Sequence, residues 1–311
     1  MRGLEVFQNE GRLWRGNLHT HSTLSDGALA PAVVIAAYRE QGYDFLCLSD
    51  HFMERYDWPV ADTREFREAT FTTLLGAELH APATSAGERW HVLAVGLPPD
   101  FAPNSDGEDG VALARRARDA GAFVALAHPS WSQLTLDDGL ALARTAHAVE
   151  VFNYSCLVEN DRGDGWYLCE QLLRRGHRLT AIAGDDAHFR QGTRDAFGGW
   201  IMVRSVVNEP VELLAALQRG AFYATEGPEL HEVAVDGNTV RVRSSPVSSI
   251  AVAGGSSRSH AEIGIALTAA AFDVGALRDP ALAGGSREWF RVTLIDEQGR
   301  RAWSNPIWWE S

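Results

Sequence analysis

Short apolar runs alternate with segments of helical spacing through the first two-thirds of the chain. Residues 15–19 read as a strand, 31–41 as a helix closed by Gly42, and 44–49 as a buried strand. Strands follow at 74–79 and 92–97. A helix over 110–120 ended by Gly121, a strand at 123–127, a helix at 136–146 and a strand at 149–152 come next. A helix at 166–175, a strand at 179–183 and a helix at 210–219 complete the alternation. Repeated strand–helix units imply parallel strands joined by helical crossovers, hence an α/β barrel or an open sheet.

From about Leu230 the period changes to two. Residues 231–243 alternate about an Asp-Gly-Asn turn, 250–253 form a short strand running into Gly254-Gly255, and 289–296 alternate ahead of a turn at 296–299. Residues 256–259 read as an exposed loop, and Pro306-Ile307-Trp308-Trp309 as a packed terminus. The expected organisation is a barrel unit over 1–229 and a small β-rich unit over 230–311, which suits a chain of 311 residues.

Composition removes several chemistries. Arginine supplies all 28 basic residues, because no lysine occurs. Schiff-base catalysis, a P-loop lysine, a Ser-Lys dyad and a carbamylated-lysine metal bridge are therefore excluded. A net charge of −13 argues against a surface that coats a nucleic-acid polymer, and it suits a protein that gathers carboxylates around cations. Three cysteines are too few and too odd for a disulfide framework. No apolar stretch of membrane-spanning length or signal-peptide character is found, so a soluble, cytoplasmic protein with a small-molecule substrate and no membrane partner is expected.

The informative feature is where His, Asp and Glu fall. They collect at the C-terminal ends of predicted strands: Leu18-His19-Thr20-His21, Leu48-Ser49-Asp50-His51, Gly76-Ala77-Glu78, Leu126-Ala127-His128-Pro129 and Ile182 through Asp185-Asp186-Ala187-His188. That rim is where parallel βα folds build active sites. In an extended segment residues i and i+2 point the same way, so His19 with His21, and Asp186 with His188, can each chelate one ion. Glu78 has two oxygens and could bridge neighbouring cations. With Asp26, His51, His91 and His128 added, the donors exceed what one ion can use, so two or three divalent ions are expected. Taken singly, a strand-end histidine is more often a surface or capping residue, and His147, His177, His231 and His260 are read that way. Asp26 before a glycine is equally a turn residue. His91 precedes its apolar run instead of ending one. His80, two residues beyond Glu78, is a candidate substrate contact or a plain polar strand end.

In order along the chain, NLHTHSTLSDG at 17–27, LSDH at 48–51, GAE at 76–78, AHP at 127–129 and GDDAH at 184–188 resemble the PHP (polymerase and histidinol phosphatase) family of metallohydrolases. The resemblance covers roughly residues 14–228. It implies a distorted (β/α)7 barrel holding up to three divalent ions, commonly manganese, zinc or iron. It further implies His19, His21, Glu78 and Asp186 on a first ion, Glu78, His91 and His128 on a second, and Asp26, His51 and His188 on a third. Asp26 stands where many relatives carry histidine, a variant that recurs in the family's Ser-Asp-Gly branch. The segments at 196–203, 223–230 and 291–308 resemble the CehA/McbA (carbaryl-hydrolase-like) branch, in which the barrel carries a β-rich C-terminal segment.

The expected activity is metal-dependent hydrolysis of a small, nucleotide-like phosphate ester by metal-activated hydroxide, with Glu78, Asp186, His188 and His51 as the catalytic set. The alternative is carbamate, ester or amide hydrolysis at the same multinuclear site. No Gly-x-Ser-x-Gly nucleophile elbow occurs. Arg190, Arg162 and Arg194 lie on rim loops and are candidate phosphate anchors, because a guanidinium matches paired phosphate oxygens. Arg190 is nearest the metal motif and is the first choice.

Overall fold

Turn and capping chemistry sets the helix ends in a computed structural model that describes residues 4–278 and 288–309. A short helix α1 (Glu5–Gln8) precedes β1 (Arg12–Asn17). Helix α2 (Pro31–Glu40) starts with proline at its first turn and buries Val34, Ile35 and Tyr38. It leads to β2 (Phe45–Leu48), β3 (His51–Phe52), β4 (Thr72–Ala81) and β5 (Trp90–Val95). The Asp109 side chain caps α3 (Gly110–Asp119), ahead of β6 (Phe123–Leu126). A Thr135–Asp138 capping box opens α4 (Leu136–Leu142). Then come β7 (Ala148–Asn153), α5 (Tyr154–Asn160), α6 (Trp166–Leu173), β8 (Thr180–Gly184) and β9 (Trp200–Ser205). Helix α7 (Pro210–Arg219) stops at Gly220, whose φ of 76° suits glycine, and β10 (Phe222–Thr225) follows.

The remaining strands are β11 (Leu230–Asp236), β12 (Thr239–Gly254), β13 (Ser259–Asp273), β14 (Trp289–Ile295), β15 (Arg301–Trp303) and β16 (Ile307–Trp308). One sheet runs in the order β11-β12-β14-β15-β10-β9-β1-β2-β4-β5-β6-β7-β8. Because β15 pairs with β10, the sheet crosses residue 230 without a break. Parts of both expected units, residues 1–3, 279–287 and 310–311, lie outside the described residues.

Among the described residues the sheet does not close into the expected distorted (β/α)7 barrel. The sheet is open along its path, with β8 at one end and β1 in its middle. Past the ends of these two strands only an isolated parallel bridge joins Thr20 to Ala187, with Asp186 N–H donating to His19 O at 2.8 Å and His21 N–H to Ala187 O at 2.9 Å. Nor are all its strands parallel. β5 runs antiparallel to both β4 and β6, and β9 antiparallel to β1. Between β4 and β5 lie only residues 82–89, fewer than a helical crossover needs. The tail also differs from its expected short strands. β12 is continuous over 16 residues, and its partner β13 spans 15 residues that escape detection because most are exposed, which erases the alternation.

The main core lies between the sheet and its helices, and a second lies under the tail, where Leu4, Val6 and Tyr223 join strand residues such as Val242, Val252 and Phe290. Trp303 is buried against Phe152 and Trp166, at ring distances of 5.8 and 6.4 Å. Asn305 joins the terminus to the sheet, accepting from Ala181 N–H (2.8 Å) and donating to the carbonyls of Gly220 (3.1 Å) and Phe222 (2.9 Å). All three cysteines are buried and unbridged. Among the described residues no helix is long and apolar enough to cross a membrane.

Candidate metal centre

β4 is buried along all ten residues and delivers Glu78 to the rim. Six imidazoles surround this one carboxylate: His91 Nδ1 at 2.6 Å, His51 Nδ1 at 2.7 Å, His128 Nε2 at 3.0 Å, His80 Nε2 at 3.6 Å, and His19 and His21 Nε2 each at 3.7 Å. The antiparallel course of β5 explains His91. It begins its strand, and antiparallel pairing sets it opposite His80 on β4, so a strand start shares the rim with strand ends.

The extended His19-Thr20-His21 segment turns both imidazoles toward Asp186, with Nε2 to Oδ1 distances of 3.3 and 2.8 Å. Asp186 has a φ of 56°, so the 186–188 segment is not the expected extended chelate and His188 faces Asp26: its Nε2 and that of His51 lie 3.3 and 3.2 Å from Asp26 Oδ1. The donors fall into overlapping groups that could each hold an ion, among them His19–His21–Glu78, Glu78–His91–His128 and His21–Asp26–His51–His188. Three donor atoms pointing into these groups, His19 Nε2, Asp26 Oδ1 and Glu78 Oε2, are buried with no aligned hydrogen bond, although imidazole nitrogens lie near both oxygens. Leaving buried polar atoms so costs about 1–3 kcal/mol each. A divalent cation is the group that satisfies them, so the donor set fits metal.

The electrostatics divide the cluster: against burial, the carboxylates hold His19, His51, His128 and His188 above the usual imidazole range, while Glu78, Asp186, His21 and His91 shift the opposite way. Burial raises the Glu78 carboxyl, but the charges of His91, His51 and His80 outweigh it and hold the group well below its usual range. Asp186 is likewise held low against burial, by His19 and His21. Burial, joined by the charges of His51 and His188, pushes His21 down to about 3, and burial pushes His91 to about 3. A neutral imidazole is the form that ligates. Asp185, beside Asp186, has a different part. It is buried, which pushes it up to about 6, and it accepts from Asn17 Nδ2 (2.6 Å), the Tyr38 hydroxyl (2.7 Å) and the N–H groups of Phe197, Gly198 and Gly199 (2.8, 2.8 and 2.9 Å). It ties β1, α2 and the approach to β9 together behind the cluster.

Sequence reasoning missed other carboxylates that shape the site. Asp50 accepts from Ser22 N–H and Ser25 Oγ, shaping the loop that carries Asp26, and Asp195 accepts from the N–H groups of His188 and Phe189. Glu150 is fully buried inside the apolar run of β7. A lone charge in such a run is itself a signal.

The cluster opens into a cleft of about 800 Å³ lined by Trp131, Arg162, Arg190 and His80 among others. Trp131 is 41 % exposed, with its ring 5.3 Å from His91 and 5.0 Å from His128. Arg190 lines the same cleft, and its Nη2 donates to Asp26 Oδ2 at 2.7 Å. Arg194 is exposed and lies outside the cleft lining. His80 touches His51, Nε2 to Nδ1 at 2.8 Å.

No family model and no curated protein matches the chain. Solved structures do. A two-domain protein from Bacteroides vulgatus containing a predicted PHP-like metal-dependent phosphoesterase superposes with a TM-score of 0.52 at 16% identity, over 100% of this chain and 97% of the other. This shows a common fold that takes in the tail. A structure named as a metal-dependent phosphoesterase from Bifidobacterium adolescentis matches with a TM-score of 0.43 at 17% identity, over 58% of this chain and 89% of the other. An amidohydrolase from Chromobacterium violaceum matches at 0.38 and 16%, over 56% and 87%.

Proposed function

We propose that the protein is a metal-dependent phosphoesterase of the PHP type acting on a small phosphate ester. The observation that carries this is the Glu78 carboxylate enclosed by six imidazoles, with buried donor atoms that lack an aligned hydrogen bond. The fold shared with the Bacteroides protein, itself named as containing a predicted PHP-like phosphoesterase, supports it. His19, His21, Glu78 and Asp186 would hold one ion, Glu78, His91 and His128 a second, and Asp26, His51 and His188 a third. Divalent ions held there would supply Lewis-acid polarisation of a phosphoryl oxygen and would lower the pKa of bound water toward neutrality.

The chain's own groups do the rest. Arg162 on the cleft wall offers the phosphate a planar pair of N–H donors. Arg190 holds Asp26 in place and screens its charge from an anionic substrate. His51 and His188 flank the mouth, where with Asp26 they would hold the ion that stabilises the departing ester oxygen. Trp131 shields the His91–His128 side from water. Burial holds the Cys156 thiol far above its ordinary range, so it is no nucleophile.

The test is a substrate panel on manganese-loaded protein that compares aryl and nucleotide phosphates with aryl carbamates. Turnover of a phosphate mono- or diester is expected. Efficient carbamate turnover with no phosphate hydrolysis would overturn the proposal.

A further inference from the structure

We infer that Glu150 is a positioning residue that orients two candidate metal ligands, His19 and His128, at the same time. The inference rests on the metal-centre reading above and assigns a part to a residue outside the proposed ligand set. Glu150 is fully buried on β7. Its Oε1 accepts from His19 Nδ1–H at 2.9 Å, and its Oε2 accepts from the His128 backbone N–H at 2.7 Å and from Asn153 Nδ2 at 3.0 Å. Asn153 Nδ2 also lies 3.1 Å from Asp186 Oδ2. One carboxylate thus reaches three of the proposed ligands, two directly and one through an amide.

Each contact has a geometric consequence. A carboxylate only accepts, so in a neutral, ligating His19 the proton sits on Nδ1 and Nε2 is left bare. Nε2 is the buried atom without a hydrogen-bond partner, aimed at Asp186 and Glu78. His128 has a φ of 22°, a conformation L-residues rarely adopt, and the bond from its N–H to Glu150 holds it there. The chain also leaves space for this arrangement. A Cβ on Gly184 would stand 2.7 Å from Glu150 Oε1 and 3.0 Å from His19 Cβ.

Glu150→Gln keeps the shape and breaks the pattern, because one amide oxygen cannot accept from three donors. With its NH₂ turned to His19, Nδ1 must accept and Nε2 carries the proton, so it cannot ligate. The test is calorimetric titration of the metal-free full chain with Mn²⁺, with thermal melting as the check on folding. Glu150→Gln is expected to melt cooperatively and to bind at least one Mn²⁺ roughly 10- to 100-fold more weakly than wild type, the range typical of partners that orient a ligand. Combined with His19→Ala, its loss should fall short of the product of the single losses by more than about twofold, since both act through one imidazole. Wild-type Mn²⁺ affinity in Glu150→Gln, or losses that multiply fully, would overturn the inference. If Glu150→Gln does not fold, Glu150→Asp replaces it, because the shorter carboxylate keeps its charge but cannot span His19 and His128. Wild-type affinity in that variant would overturn the inference equally. Metal binding is read without substrate, so a chain that binds Mn²⁺ through Glu150 but hydrolyses no phosphate ester would sink only the phosphoesterase proposal.

Discussion

Arg190 donates to Asp26 Oδ2 at 2.7 Å, while the other oxygen of that carboxylate faces His51 and His188 at 3.2 and 3.3 Å. Asp26 therefore stands between a fixed cation and two imidazoles, and Arg190 works as its holder. The pair is partly exposed, so by itself it adds little to stability. Arg190→Ala is expected to lower the divalent-ion content per chain after dialysis. Arg162→Ala should leave that content unchanged, raise KM for a phosphate ester and lower kcat/KM by the equivalent of about 1.5–3 kcal/mol, with no effect on an uncharged carbamate. Kinetics and elemental analysis of both variants separate the two parts. Equal phosphate kinetics in wild type and Arg162→Ala would remove Arg162 as the anchor.

More than one divalent ion per chain is expected after reconstitution, with chelation abolishing activity and added Mn²⁺ restoring it. The reason is the surplus of donors, ten side chains in overlapping groups among the described residues. Elemental analysis at one ion or fewer would rule out a multinuclear centre.

Glu78→Gln should harm turnover more than His51→Ala or His188→Ala. Glu78 faces both the His19–His21 and the His91–His128 sides and lies near six imidazoles, and an amide removes the charge they share. Turnover numbers for the three variants, measured side by side, decide it, and equal or milder loss in Glu78→Gln would count against a bridging part.

Glu226 lies where β10 meets β15, and burial pushes its carboxyl up to about 7 even though Arg301 N–H donates to it at 2.8 Å. Between its ordinary value of 4.5 and about 7 the folded chain keeps a proton that the unfolded chain has lost. Stability should therefore fall as pH rises through that window, and Glu226→Gln should flatten the slope. Melting temperatures from pH 4 to 8 measure it. An unchanged slope in the variant would show that Glu226 does not titrate in this range.

Asn305→Ala removes one acceptor and one donor group that serve Ala181, Gly220 and Phe222 in the interior. A loss of roughly 2–4 kcal/mol is expected from the buried groups left unpaired. Truncation after Pro228 goes further, since it strips β15 from β10 and uncovers the surface against Trp303. Denaturant unfolding of Asn305→Ala and the solubility of the truncate are the measurements. A soluble, fully active truncate would make the tail an independent module.

Local chemistry made much of this protein legible without coordinates. The alternation of extended residues put His19 and His21 on one side, and proline and glycine marked the ends of α2 and α7. These signals travel only a few residues, which is why they could be read from the chain. Strand direction cannot be read that way, because a buried strand has the same pattern in either sense. So the run at 92–97 reads as a strand of unmarked direction, and His91, just ahead of it, has no reason in the sequence to share the rim. Whether the sheet closes depends on which distant edges meet, and here β1 gives its second edge to β9 instead of β8. Tertiary structure alone decided the long-range partners: Arg190 meets Asp26 across 164 positions and Glu150 meets His19 across 131. The residue types at the site follow from the sequence, and their partners follow from the fold, because periodicity records which face of an element is buried and carries no record of what lies against it.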